Sequence, residues 1–190
     1  MKNREIIDMV ESQIIAAIKE EDHIDLAIKG TPNIAFLLTG NLFTTEQNIR
    51  KLQENSMRVF LHLDFIDGIG TSKSAMKYIA EKWKPDGIIT TKNHLIKLAK
   101  NENMIAIQRI FLIDKGAISK GMEMTHNSPL DAVEVLPGIM PRVIDEMTKK
   151  IDAPIIAGGL IESEAEVLEA LTAGALATSV STPSLWNLKL

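Results

Sequence analysis

Pro154-Ile155-Ile156-Ala157-Gly158-Gly159-Leu160, followed by an amphipathic stretch and then by Ala173-Gly174-Ala175-Leu176-Ala177-Thr178-Ser179, decides the fold. The first run reads as a buried strand ending in two glycines, and the second as a buried strand ending in small hydroxyl residues, with a helix between them. A (β/α)8 barrel builds its phosphate cradle in this way after its last two strands. Glycines let backbone N–H groups approach phosphate oxygens, and a helix N-terminus adds free donors at the positive end of its dipole.

Outward from that segment the chain alternates aliphatic runs with amphipathic helices, and the runs number eight: 14–18, 34–39, 58–64, 87–91, 104–112, 132–136, 155–157 and 175–179. Strands separated by helical patterns pair in parallel through right-handed crossovers, and eight of them imply closure. Several runs are apolar on both faces, and polar residues gather at their C-terminal ends, at Thr39, Asp64, Thr91, Glu134 and Gly158. That distribution favours a barrel over an open doubly wound sheet, whose ligand groups meet at one switch point. The expected architecture is therefore α/β, a compact (β/α)8 TIM-type barrel occupying residues 1–190 as one domain. Since such barrels usually take about 250 residues, some helices must be short, above all between the first two strands, where only 22–29 is available.

Composition bounds the function. The chain has 190 residues, 45% of them hydrophobic, a net charge of −4 and no cysteine, which excludes disulfides, thiolate nucleophiles and zinc–thiolate sites and suits a cytoplasmic location. No apolar run approaches the ~20 residues of a membrane span. The N-terminus leads into a helical pattern rather than a signal peptide. Residues 71–101 hold seven lysines against Glu81 and Asp86, leaving the rest of the chain at −9. Such a local basic region marks either a nucleic-acid footprint or two helices solvated by lysine. Ser72 is placed to cap a helix with Ala75, Met76, Ile79, Ala80 and Trp83 on one face and Tyr78 pointing away, beside Lys77 and Lys82. Thr44-Thr45-Glu46-Gln47 has the spacing of another helix start.

Strand alternation places the candidate chemistry. Phe60, His62 and Asp64 share one face of the third run, opposite Val59, Leu61 and Leu63, so His62 and Asp64 are expected to face the barrel axis near its mouth. There they would bind hydroxyls, transfer a proton or form a buried, mutually satisfied pair. A metal is the least favoured occupant, because His23, His94 and His126 show no ligand spacing around the pair. Glu134 shares a face with Ala132 and Leu136, and a carboxylate there is costly unless paired. Arg109 is a natural partner for Glu134 or for a phosphate, although either Gln108 or Arg109 could face inward. Lys92, directly after the fourth run, would meet an anion, form a Schiff base or lie solvated. Gly138, in Pro137-Gly138-Ile139-Met140-Pro141, permits backbone approach or a positive φ, and Ser181-Thr182-Pro183-Ser184 reads as a short capped helix or a terminating turn.

His62-Leu63-Asp64-Phe65-Ile66-Asp67-Gly68, Asp86-Gly87-Ile88-Ile89-Thr90-Thr91-Lys92, Gln108-Arg109-Ile110-Phe111, Glu134-Val135-Leu136-Pro137-Gly138-Ile139-Met140-Pro141 and Ile156-Ala157-Gly158-Gly159-Leu160-Ile161, with Ile14 to Ile18, together resemble the glycerol-3-phosphate-responsive antiterminators of bacterial glycerol operons. The resemblance implies a regulator rather than an enzyme. Such a regulator binds a leader mRNA when glycerol 3-phosphate is present, with no cofactor beyond that effector, no resident metal and no membrane partner, and with a homo-oligomer left open. Combined with barrel geometry, it gives Gly158, Gly159, Thr178 and Ser179 as phosphate-holding residues. Asp64, Glu134, Arg109 and Lys92, with His62 and Gly138 beside them, would meet the glycerol hydroxyls or balance charge. No RNP-type strand or Gly-x-x-Gly loop appears, so the expected RNA contact is the basic surface of Lys73, Lys77, Tyr78 and Lys82. The rival expectation is an enzyme acting on a small phosphorylated polyol or sugar, with Glu134 as base, His62 as acid and Lys92 as electrophile or Schiff-base residue.

Overall fold

The aliphatic runs form strands because β-branched side chains fit a pleated surface covered on both faces. In the computed structural model, which describes residues 4–126 and 128–190, eight such strands close into a parallel barrel in chain order. They are β1 (Ile14–Ile18), β2 (Ile34–Leu37), β3 (Arg58–His62), β4 (Gly87–Thr90), β5 (Ile105–Phe111), β6 (Ala132–Leu136), β7 (Ile155–Gly158) and β8 (Ala177–Val180). Closure is made by β8 on β1, with Ile14 opposite Thr178 and Ala16 opposite Val180. The helices are α1 (Arg4–Met9), α2 (Ile24–Lys29), α3 (Thr45–Glu54), α4 (Lys73–Tyr78), α5 (Asn93–Asn101), α6 (Lys115–His126), α7 (Pro141–Thr148) and α8 (Glu164–Thr172). Met1 to Asn3, the start of the N-terminal helical pattern, and Asn127 lie outside the described residues.

Alternation sorts the strand side chains into two layers. Ile15, Phe36, Phe60, Ile89, Ile107 and Ile156 pack inside the barrel, whereas Ile14, Leu61, Ile88, Val133, Val135 and Val180 pack outward against the helices. Ile6 of α1, 1% exposed, joins the inner cluster and closes the N-terminal end. Asn33 latches that plug: its amide donates to Met9 O at 2.7 Å and its carbonyl accepts from the N–H groups of Glu11 and Ser12 at 3.2 Å. At the same end Asp131, 1% exposed, accepts from Lys100 Nζ at 2.6 Å and Ala106 N at 2.9 Å.

The chain saves length where expected. The connection from β1 to β2 carries only a 3-10 turn (Glu21–His23) and the six residues of α2. Three expected boundaries move by two residues and several others by one. β2 stops at Leu37, not at 39, and β3 stops at His62, where a 3-10 turn (Leu63–Phe65) takes Asp64 off the strand. β8 begins at Ala177, not at 175, because Gly174 turns at φ 99° and Leu176 is still completing the ladder onto Ile155 O. Ser72 caps α4 by accepting from Ala75 N at 3.2 Å, but Thr44 makes no cap for α3 and donates instead to Glu21 Oε1 at 2.5 Å. A full capping box joins Ser163 and Glu166 at the start of α8, a spacing that marks a helix start as clearly as the one at Ser72 does.

Candidate functional site

Inward parity at the C-terminal ends of β5, β6 and β8 brings Arg109, Glu134 and Ser179 together, 6%, 1% and 4% exposed. Arg109 and Glu134 are direct register partners, and Arg109 Nε donates to Glu134 Oε2 at 2.5 Å. Ser179 Oγ donates to Glu134 Oε1 at 2.6 Å. A buried carboxylate needs such partners on both oxygens, since an unpaired charge there is strongly destabilising. Gly158, the register partner of Ser179, makes this possible: a Cβ at that position would run into Ser179 Oγ and stand 2.9 Å from Glu134 Oε1. The open alternative at β5 is resolved by the same register. Gln108 faces outward opposite Val133 and donates to Thr90 O at 3.1 Å, leaving Arg109 as the inward residue.

Above the network lies a recess of about 60 Å³, lined by Lys19, Leu38, Arg109, Glu134, Gly159, Ile161, Ser179 and Ser181 among others. Gly159 turns the chain out of β7 at φ 75°, followed by Leu160 at φ 60°. Gly138 has another task than meeting a ligand: its N–H donates to Gly159 O at 3.0 Å, and an added Cβ would sit 2.8 Å from Gly158 N. Its missing side chain lets the β6 loop lie directly on β7.

A second polar group stands at the ends of β3 and β4. Lys92 Nζ meets Asp64 Oδ1 at 2.6 Å, while the Thr90 and Thr91 hydroxyls reach Asp64 Oδ2 at 3.4 and 3.5 Å. Burial raises the Asp64 pKa, but the hydrogen bond and charge of Lys92 outweigh it and hold the carboxyl below its ordinary value. His62 is 2% exposed, 3.9 Å from Asp64 Oδ2, and neither ring nitrogen has a hydrogen-bond partner among the described residues. Burial, then the positive charge of Arg109, push its pKa down to about 4, so the ring is neutral at pH 7. Phe65 lies against it, ring centroids 4.5 Å apart.

Thr178 is a correction. It sits between Ile14 and Ala157, both outward residues, and its hydroxyl and N–H both donate to Gln13 O. As Ser179 faces in, its chain neighbour must face out. Ser181 borders the recess, but Pro183–Asn187 is only a short 3-10 segment anchored by Trp186 Nε1 on Val180 O. Lys19 escapes the sequence expectations, although it follows Ile15 and Ala17 at the same spacing that identifies Glu134. It is exposed and has no ion-pair partner among the described residues.

On the outer flank, Lys73, Lys77, Tyr78 and Lys82 are exposed on α4 and the π-helical turn Ile79–Trp83 that continues it. Lys77 Nζ is 3.6 Å from Glu81, and Tyr78 meets the buried Trp83 edge-on at 5.8 Å. Among the described residues, Glu20, Asp22 and His23 cluster within 4.8 Å near the β1 end, the two carboxylates exposed, and nothing else points a ligand at them. No helix of the described residues is long and apolar enough to cross a membrane.

Known proteins share this architecture along more than nine-tenths of its length. Residues 14–186 match the family described as glycerol-3-phosphate responsive antiterminator. The protein YgcP of Escherichia coli (strain K12) is 31% identical over 94% of this chain and 93% of its own. A glycerol uptake operon antiterminator regulatory protein from Listeria monocytogenes superposes with a TM-score of 0.88 at 32% identity, covering 93% of this chain and 95% of that one. A glycerol uptake operon antiterminator-related protein from Thermotoga maritima gives 0.81 at 33% identity over 91% and 96%. A closed eight-stranded barrel whose match extends from its first strand to its last turn thus belongs to the glycerol-3-phosphate responsive antiterminator family.

Proposed function

We propose that this chain is a regulator that takes glycerol 3-phosphate into the mouth of its barrel and, so loaded, binds the leader mRNA of glycerol-utilisation genes to carry transcription past a terminator. The observation that carries the reading is the recess itself: a phosphoryl-sized hollow over the Gly158–Ser179 pair, bordered by the cations Lys19 and Arg109. Lys19 would supply charge, Ser179 and Ser181 hydroxyls, and the turn at Gly159 backbone donors. The Asp64–Lys92 pair and His62 would face the glycerol end.

The same geometry speaks against the enzyme alternative. Both oxygens of Glu134 are engaged, by Arg109 and Ser179, which leaves it a poor general base. Lys92 is held by Asp64 at 2.6 Å rather than free for Schiff-base chemistry. The regulator reading requires neither group to react, and the effector is the only small molecule it needs.

The test is retention of leader RNA by the protein with and without glycerol 3-phosphate, in wild type and in Gly158→Asp. The added carboxylate would collide with Ser179 and stand beside Glu134. Wild type should retain RNA in a ligand-dependent way and the variant should lose that dependence. Turnover of glycerol 3-phosphate, or an unchanged ligand response in Gly158→Asp, would contradict the reading.

A further inference from the structure

Of the twelve large hydrophobic side chains exposed among the described residues, seven stand on the mouth of the barrel, and the other five are scattered over α1, α2, α4, α8 and the C-terminus. The seven form two sectors. Leu42 lies so close over the loop after β3 that a Cβ on Gly68 would come within 2.9 Å of it, and Asn41 and Asp67 bridge the same two loops, which joins Leu42 and Phe43 to Phe65. Further round the mouth, Leu112 N donates to Leu136 O at 2.7 Å and Gly138 N to Gly159 O at 3.0 Å, tying the segments that carry Phe111, Ile113, Ile139 and Leu160 into one surface. Phe43, Ile113 and Leu160 are 92%, 83% and 66% exposed, and the seven together amount to about four whole side chains, roughly 700 Å² of apolar surface. The largest patch on a monomer is usually about 300–600 Å², whereas each half of a standard interface is about 800 Å².

Charge decides what kind of partner covers this surface. The loops that follow the strands hold Lys19 and Lys92 against seven carboxylates, a net of −5, which repels a polyanion and so disfavours RNA bases on the phenylalanines. The loops after β2, β6 and β8 carry no charge at all, as the centre of a protein interface requires. We propose that the mouth is the interface with a second copy of this chain, mouth on mouth about a two-fold axis perpendicular to the barrel. Because the strands close in chain order, the two-fold that sets the loop after β2 on the partner's loop after β3 also sets β6 on β7, β5 on β8 and β1 on β4. Leu42 and Phe43 then meet the partner's Phe65, and Ile139 meets the partner's Leu160. The acidic loop of Glu20, Glu21 and Asp22 comes to the partner's Lys92, whose side chain is 47% exposed, so the same rotation that joins the apolar sectors also pairs opposite charges. The inference goes beyond the effector reading and holds whatever the recess takes.

Analytical ultracentrifugation of the full chain at about 50 μM, where an interface of standard size is populated, tests this. Wild type should sediment at twice the 21.0 kDa of one chain. Phe43→Asp combined with Ile113→Asp should weaken the dimer at least about a hundredfold and sediment as a monomer with an unchanged circular dichroism spectrum, since both side chains are exposed. Leu168→Asp, on the outer face of α8, should leave the dimer intact. Asp22→Lys should weaken it several-fold, most at low salt. A monomeric wild type, or a dimer that survives the double change, would overturn the proposal. So would a monomeric wild type whose leader-RNA binding is lost in the double variant, which would give the rim to RNA. An Asp22→Lys dimer as tight as wild type would overturn the two-fold setting.

Discussion

Arg109 and Glu134 are the most demanding side chains in the barrel, an ion pair with 6% and 1% exposure whose geometry is fixed by direct register between β5 and β6. Replacing Arg109 by Met should destabilise the fold by about 3–5 kcal/mol, because it strands a buried carboxylate with Ser179 as its remaining partner. The double change Arg109→Met with Glu134→Leu should recover most of that loss, since an apolar pair needs no compensation, and urea denaturation of the three proteins measures the difference. His62 gives a pH signature. The unfolded ring takes its proton near pH 6.5 but the folded one only near about 4. Between those values the unfolded state holds more protons, so stability rises with pH. His62 therefore contributes no penalty above pH 6.5 and costs up to about 3 kcal/mol as pH falls to 4. Melting curves of wild type and His62→Gln should diverge across that window, and parallel curves would contradict it. Alternation makes Glu134 and His62 legible in the sequence, and applied consistently it also finds Lys19 and separates Thr178 from Ser179. Gln108 and Arg109 cannot be separated that way, because a polar residue occupies both parities and only the pairing partner decides.

At the scale of elements, apolar spacing carries the reading and local turns limit it. Met76, Ile79 and Trp83 are buried as their periodicity requires, and Ser72 caps the helix they belong to. The passage from α-helix to π turn at Ile79, and the left-handed Lys84 that ends it at φ 49°, leave no mark in the hydrophobic pattern. β3 ends early for a similar reason: alternation continues through Asp64, but the chain turns at Leu63 so that Asp64 can reach Lys92. The α4 segment presents Lys73, Lys77, Tyr78 and Lys82 to solvent, and we propose it as the RNA face. Changing the three lysines to Glu should abolish leader binding and leave glycerol 3-phosphate affinity intact. Single changes should lower the slope of log affinity against log salt by about 0.7 for each phosphate of a single strand that is no longer neutralised. Thermal stability should barely move, since Lys77–Glu81 is an exposed pair of the kind that contributes little. Unaltered RNA affinity in the triple variant would remove this surface from consideration.

At the scale of the molecule, eight strands fit in 190 residues because the first connection is cut to six helical residues and α1 supplies the floor of the barrel. The floor is not legible in the sequence, since Ile6 reads as one more apolar residue in a polar N-terminus until the barrel end it fills is known. The proposed ligand site and the proposed RNA face belong to the same barrel but to different parts of it, mouth and flank, so ligand responsiveness requires coupling between them. If glycerol 3-phosphate favours the RNA-competent form by some factor, RNA must raise the affinity for glycerol 3-phosphate by the same factor, because both paths around the cycle end at one ternary complex. A factor of roughly 5–150, the usual range of such couplings, is about 1–3 kcal/mol and well within what calorimetry and RNA-retention assays resolve. Four constants close the cycle: ligand affinity with and without leader RNA, and RNA affinity with and without ligand. The two ratios should agree and exceed one. Ratios of unity would leave a phosphate-binding barrel with no route from its pocket to its flank, and the basic face of α4 would then be only a solvated one.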